Sequence, residues 1–328
     1  MLLLAGDIGG TKTRVALFRA RHGKLRLLRE QRFLSKAFPG LAAILKAFLA
    51  AGKSRPAAAC FGVAGPVVNG RCEGTNLPWI IQVSLLQKTF RLGPVSLIND
   101  LQATAYGIEM LPAGAFSVLQ KGKPAAQAPI AVIAAGTGLG EAALVWDGAH
   151  YRAVASEGGH ADFAPRTEKE TKLLRYLAKK FGHVSYERIL SGPGKLDLYY
   201  FVRQLNGGKE PAWLSGELKT RDASAVVSEM ALQKRSPLCV EALKLFVSIY
   251  GAEAGNVALK FLARGGIYIG GGIAPTILPL LKNGVFIESF LDKGRLSPLL
   301  SQVPVKVILD DRAALFGAGY FAMRLASY

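Results

Sequence analysis

Gly6-Asp7-Ile8-Gly9-Gly10-Thr11-Lys12-Thr13 sits between two apolar runs, Leu2 to Gly6 on one side and Arg14-Val15-Ala16-Leu17-Phe18 on the other. Short runs of this kind, bounded by glycine and aspartate, read as two strands of a β-hairpin with a glycine-rich turn. A turn that binds phosphate needs converging backbone N–H groups, and glycine permits the conformation and the close approach this requires. Asp7 at the strand end would attract Mg²⁺, usually through water, while Gly9, Gly10, Thr11 and Lys12 offer donors to an anion. A plain hairpin turn uses the same residue types, so this stretch alone leaves both readings open.

Working outward, Leu25 to Phe33 reads as a third strand, Leu41 to Ala51 as a buried helix stopped at Gly52, and Ala57 to Val63 and Val95 to Ile98 as two further buried strands. From Pro129 the same grammar returns. Ile130 to Ala134 is an apolar strand, Gly136-Thr137-Gly138-Leu139-Gly140 a glycine-rich turn, and Ala142 to Trp146 and Tyr151 to Ala155 are strands. An internal repeat of a strand, Gly-Thr turn, strand unit is an architectural signal, because two such turns facing one another would hold a phosphate chain from both sides. Two unrelated hairpins would give the same pattern.

Between 166 and 260 the sequence turns helical. Thr167 and Glu170 form a capping box for a helix to Phe181, Ser185 caps Tyr186 to Leu190 before a stop at Gly192-Pro193, and Pro237 opens a long helix toward Leu262. Gly266 to Ile269 is strand-like and runs into Gly270-Gly271-Gly272. Val303 to Leu309 is a last strand before the terminal helix Ala313 to Leu325.

The 328 residues suit two lobes or one large α/β unit, and 50% hydrophobic against 20% charged residues excludes wholesale disorder. The net charge of +18 permits attraction to nucleic acid, polyphosphate or an anionic surface. The cations are nevertheless scattered, without a long basic run, and read as solvated surface. Cys60, Cys72 and Cys239 form no CxxC pair, which argues against a disulfide framework or a cysteine zinc site and for a reducing compartment. No signal-peptide pattern opens the sequence and no stretch reaches the roughly 18 apolar residues of a spanning helix, so a cytoplasmic location without membrane or nucleic-acid partners is expected.

Two apparent motifs fail on context. Gly136 to Gly140 is followed by a strand rather than the helix a dinucleotide fingerprint requires, and Gly52-Lys53-Ser54 lacks the earlier P-loop glycine, since Ala47 stands there. Asn99-Asp100 lies between a strand and the helical Leu101 to Met110. Asp100 there serves either as an N-cap or as a general base toward a hydroxyl nucleophile. Glu157, His160 and Glu187, with no cysteine cluster nearby, suggest a polyol pocket; two carboxylates and a histidine would also serve as metal ligands.

Taken in order, these stretches resemble the bacterial glucokinase family, ATP-dependent hexokinases of the sugar kinase and actin-like ATPase superfamily. The likeness spans the chain. Besides the two turns it rests on Gly62-Val63-Ala64-Gly65-Pro66, Thr75-Asn76 with Trp79, Ile98-Asn99-Asp100, and Glu157-Gly158-Gly159-His160-Ala161-Asp162-Phe163-Ala164-Pro165. It continues in Glu187-Arg188-Ile189-Leu190-Ser191-Gly192-Pro193-Gly194 and Gly270-Gly271-Gly272-Ile273-Ala274-Pro275.

The resemblance implies a two-lobed α/β fold of the actin-like ATPase (ribonuclease H-like) type with a ligand cleft. Residues 1–109 and the terminal segment 311–328 would form the small lobe, and 110–310 the large one. It implies that Asp100 is the catalytic base, that Asn99, Glu157, His160 and Glu187 hold glucose, that Asp7 to Lys12 and Gly136, Thr137 and Gly138 line the ATP phosphates, and that Gly271 and Gly272 border the adenosine. The expected reaction is transfer of the γ-phosphate of Mg·ATP to the 6-hydroxyl of glucose, by a homodimer. Another hexose, or polyphosphate as donor, is the alternative. Thr11-Lys12-Thr13 departs from the Thr-Asn-Ala frequent in close bacterial relatives; its lysine is similar to that of the ROK kinases, whose zinc-binding cysteine–histidine cluster is absent here. A sugar-responsive transcription factor is disfavoured because the first turn begins at Asp7, and an actin-like polymer or chaperone ATPase would need no sugar site.

Overall fold

The computed structural model describes residues 1–50, 52, 55–74 and 77–327. Lys53, Ser54, Thr75 and Asn76, which figure in the sequence reading, lie outside the described residues. The chain divides into two compact units, one of Met1–Ala115, Asp147–Ala155 and Asp310–Tyr328 and the other of Phe116–Trp146 and Ser156–Leu309.

In the first unit the strand Leu2–Ile8 is the centre of a five-stranded sheet. It pairs antiparallel with Lys12–Arg21, which pairs with Lys24–Leu34, and parallel with Ala58–Val63, which pairs with Val95–Asn99. The central strands are covered on both faces, which is why they read as unbroken apolar runs: Leu3, Leu4, Ala5 and Ala58 to Phe61 are all fully buried. Lys24–Leu34 lies at the edge and mixes exposed cations with half-buried leucines. Three strands of two or three residues, Val67–Val68, Arg71–Glu73 and Ile80–Gln82, form a small separate sheet.

The terminal helix Ala313–Leu325 closes this unit against the helix Asp100–Gly107. The two backbones approach so closely that a Cβ on Gly317 would run into the carbonyl of Ala103. Phe18 and Phe316 meet edge to face with ring centroids 5.2 Å apart. The segment Asp147–Ala155, expected in the large lobe, groups instead with the first unit. The Tyr106 hydroxyl accepts from the Ala153 amide at 3.0 Å, Gln102 Nε2 donates to the Ala153 carbonyl at 3.3 Å, and Arg324 Nη1 donates to the Tyr151 carbonyl at 3.0 Å.

The second unit repeats the plan. Ile130–Ala135 pairs antiparallel with Leu139–Trp146 and parallel with Gly266–Gly270, which is parallel to Val305–Ile308. Both units thus place the strand after the glycine turn beside the first, and the two later parallel strands on the other side, as the repeat in the sequence predicts. Phe116–Gln120 adds an antiparallel edge.

The helical region differs from the sequence reading in three places. Glu168–Phe181 forms with Thr167 capping the Glu170 amide, but the Glu170 carboxylate turns to Arg166 instead of closing the capping box. Ser185 makes no side-chain cap, and only a 3₁₀ turn, Tyr186–Arg188, follows it. Gly192-Pro193 opens a helix, Gly192–Leu205, with the Ser191 side chain accepting from the Gly194 amide. Proline has no N–H to lose in a first turn, so the dipeptide marks a start. The long helix runs from Pro237 to Lys260 with fifteen buried residues, and its apolar faces hold the unit's core around Phe246, Tyr250 and Phe286.

Candidate functional site

In the first unit the turn between Ile8 and Lys12 closes on itself, with the Gly9 amide donating to the Lys12 carbonyl at 3.0 Å. Ser35 fastens it from the neighbouring strand end. Its amide donates to the Thr11 carbonyl at 3.0 Å and its hydroxyl to the Gly9 carbonyl at 2.7 Å, while Thr13 Oγ1 and Ser35 Oγ lie 3.0 Å apart. These bonds engage the Gly9, Thr11 and Lys12 carbonyls and hold the turn in one shape. Gly9 and Gly10 also line a small cavity with the buried Trp79.

Asp7 ends the first strand. Burial, followed by the negative charge of Asp100, pushes its carboxyl up to about 6, against the pull of Arg14 and with a further push from Asp311. Arg14, pairing with Asp7 in the strand register, gives its guanidinium to Asp311, with Nη1 to Oδ1 at 2.9 Å and a second contact from Nη2. A recessed carboxylate with a second one in its field and its cation engaged elsewhere suits a divalent ion. Asp7 was a candidate legible in the sequence, whereas Arg14, Ser35 and Asp311, which surround it, were not.

Asn99 and Asp100 stand where the strand Val95–Asn99 gives way to its helix. The capping residue is Asn99, not Asp100: Asn99 Oδ1 accepts from the Leu101 amide at 2.9 Å and the Gln102 side chain reaches back to the Asn99 amide at 3.1 Å. Asp100 is the first helical residue, and its Oδ1 accepts from the Leu101 amide at 2.9 Å. The cap therefore sets Asp100 in a fixed place at a helix N-terminus, where the dipole favours a negative charge.

In the second unit the turn Gly136-Thr137-Gly138 is closed by the Gly136 amide on the Gly138 carbonyl at 2.8 Å, and the Gly192 amide donates to the Gly136 carbonyl at 2.9 Å. Glu187, expected at the sugar, is bonded beside this turn. Its Oε2 accepts from the Leu139 amide at 2.9 Å, and a Cβ on Gly138 would run into that oxygen. Its other oxygen, Oε1, lies 3.9 Å from His160 Nε2. Glu157 precedes the 3₁₀ turn Gly158–His160 and accepts the His160 amide on its carbonyl at 2.9 Å, leaving its side chain exposed. Glu187 and His160 are thus brought together, with Glu157 at the head of the same short turn. No cluster of three metal-ligating side chains occurs among the described residues.

Gly271 and Gly272 follow the buried strand Gly266–Gly270; Gly271 takes φ of +79°, and Gly272 leads a short helix, Ile273–Thr276. Beneath the Gly158 turn lies a pair that sequence reasoning missed, Glu141 and Glu253, 1% and 0% exposed. A glutamate in the middle of Gly140-Glu141-Ala142-Ala143-Leu144 was the available signal.

Two units built on one strand order, each with a glycine turn joining its central antiparallel strand pair, define an actin-like ATPase fold. The sequence pattern of the Glucokinase family matches residues 4–325. A glucokinase of Nostoc sp. is 44% identical over 340 residues, covering 99% of each chain. The crystal structure of a glucokinase from an Antarctic psychrotroph superposes with a TM-score of 0.88 at 34% identity, covering 98% of this chain and 99% of that one. A ROK family glucokinase from Streptomyces griseus, solved with glucose and AMPPNP, shares the fold with a TM-score of 0.66 at 22% identity, covering 99% of this chain and all of that one. The chain belongs to the glucokinase family.

Proposed function

We propose that this chain transfers the γ-phosphate of Mg·ATP to the 6-hydroxyl of glucose. The observation that carries the reading is Glu187, one oxygen of which secures the second phosphate turn while the other faces His160, so that the groups assigned to phosphate and to sugar share a carboxylate. Full-length similarity to glucokinases supports the same substrate and donor.

In this reading Asp100 accepts the proton of the glucose O6 as that oxygen attacks the γ-phosphorus, and its place is set by the Asn99 cap. Asn99, Glu157, His160 and Glu187 pair with the remaining hydroxyls; a carboxylate is suited to this because it accepts from two vicinal hydroxyls at once. The N–H groups of Gly9 to Lys12 and Gly136 to Gly138 hold phosphate oxygens, and Gly271 and Gly272 border the adenosine. Little covalent chemistry falls to the protein in phosphoryl transfer, so positioning and charge account for most of the rate. Asp7 would hold Mg²⁺, whose charge would offset that of the phosphates.

The +18 charge acts as solvated exterior, since scattered cations provide only a field that salt screens within about 8 Å. The same reading makes the protein a cytoplasmic homodimer. The three cysteines are buried and free, which fits a reducing compartment, and among the described residues no helix is long and apolar enough to cross a membrane. The dimer rests on the family resemblance. A coupled ADP-release assay across a hexose panel, with and without Mg²⁺, tests the whole reading. Glucose-dependent, Mg²⁺-dependent turnover is expected; sugar-independent ATP turnover would refute it.

A further inference from the structure

Glu141 lies on the strand Leu139–Trp146 and Glu253 on the helix Pro237–Lys260, both sealed from solvent and adjacent as hydrogen-bonding neighbours. Two buried carboxylates in contact cannot both ionise at low cost, and such pairs commonly share one proton. The two carboxylates differ in their partners. Glu253 accepts from Asn256 Nδ2 at 2.7 Å and from Lys260 Nζ at 3.1 Å, and the Tyr186 hydroxyl is a further partner. Among the described residues the Glu141 Oε1 meets no donor. A proton on Glu141, directed at Glu253, satisfies both.

The pair also touches the proposed sugar site. Gly158, which follows Glu157 and begins the turn carrying His160, lies so close to Glu141 that a Cβ there would run into Glu141 Oε2. The Gly158 amide donates to Ser156 Oγ at 2.9 Å, and Gly159 is packed against the Leu139 carbonyl two residues before Glu141. Asn256 Nδ2 also reaches the Tyr186 hydroxyl at 3.1 Å, next in sequence to Glu187. The pair is thereby connected to the turn between Glu157 and His160 and, through the Tyr186 hydroxyl, to the residue before Glu187.

We propose that Glu141 and Glu253 are positioning residues for the hexose, a proton-sharing carboxyl pair that supports the Gly158 turn, and that ionisation of both weakens hexose binding while leaving nucleotide binding intact. This rests on the function proposed above. Burial, then the charge of Glu253, pushes the Glu141 carboxyl up to about 7, with Lys260 opposing. The other titratable groups facing the pair are Tyr186, Tyr250 and Lys293; burial pushes the first two upward and the last downward. None of the three supplies a carboxylate transition near neutrality. The repulsion of a doubly ionised pair falls on the turn against which Glu141 is packed.

The test is the glucose KM, ATP KM and kcat of the full chain between pH 6 and 9, for wild type, Glu141→Gln and Glu253→Gln, each checked by thermal melting. Gln at 141 keeps the shape and donates to Glu253 without titrating. The wild-type glucose KM should rise at least fivefold through about pH 7 with the ATP KM within twofold. Glu141→Gln and Glu253→Gln should each abolish that rise, because neither variant can become a doubly ionised pair. A wild-type glucose KM that stays level, or the same rise persisting in folded Glu141→Gln, overturns the proposal. If no hexose is phosphorylated at any pH, the functional reading fails instead. The pair is then judged by melting alone: wild-type stability should fall as pH rises from about 5 to 7 more than that of Glu141→Gln, and equal slopes would overturn it.

Discussion

Replacing Glu187 separates the bond it makes to the turn from the sugar contact proposed for it. One oxygen accepts the Leu139 amide at 2.9 Å, beside a residue only 5% exposed, and the other lies 3.9 Å from His160 with the side chain 29% exposed. Glutamine retains a carbonyl oxygen for the amide and gives up the charged acceptor. A hydrogen bond to a charged group contributes about 1.5–3 kcal/mol, which corresponds to a glucose KM raised about 10- to 150-fold in Glu187→Gln, with the ATP KM within about threefold. Alanine removes both acceptors and leaves the buried Leu139 N–H unpaired at a cost of about 1–3 kcal/mol, so Glu187→Ala should raise the ATP KM as well, about 5- to 150-fold. The assay is steady-state kinetics with each substrate varied at saturation of the other, alongside thermal melting. An ATP KM equally affected in both variants, or a glucose KM unchanged in Glu187→Gln, would refute the assignment of one oxygen to the turn and the other to the sugar.

Asp100→Asn should lower kcat by roughly 10² or more while isothermal titration still detects glucose, because loss of a general base typically costs that much; near-normal turnover in a folded variant would reduce Asp100 to a helix-terminal charge. Asp7 is ionised against its environment, so the folded state loses stability as pH rises from its ordinary value of 3.8 to about 6. Asp7→Asn should therefore melt higher at pH 7.5, by an amount on the order of 1–3 kcal/mol, while losing Mg²⁺-supported turnover; a lower melting point would contradict the sign. Gly317→Ala places a methyl against the Ala103 carbonyl and should destabilise by about 1–3 kcal/mol, read as a lower denaturation midpoint in urea.

The strands around the two glycine turns were legible because parallel strands covered on both faces leave continuous apolar runs, and Ala58 to Phe61 is such a run. Val67–Val68, Arg71–Glu73 and Ile80–Gln82 were not, since two or three residues carry no periodicity. Gly192-Pro193 was misread because the same pair punctuates both helix ends, and the deciding Ser191 side chain acts only through its contact with the Gly194 amide. Asn99 and Asp100 are both good caps by type, and it is the Gln102 side chain that selects Asn99. Glu187 was recognisable as a polar candidate, but its bond to Leu139 spans 48 residues and has no local signature. Glu141 and Glu253 escaped for the same reason, each being an isolated acid until the fold brings them together.

The most direct test of the account is the rate of glucose 6-phosphate formation by the purified wild-type chain from Mg·ATP and from polyphosphate, compared at low and moderate salt. The directed N–H groups of the two turns predict efficient, Mg²⁺-dependent product formation from ATP with weak salt dependence, and little product from polyphosphate. Turnover from polyphosphate equal to or above that from ATP, with strong sensitivity to salt, would contradict it.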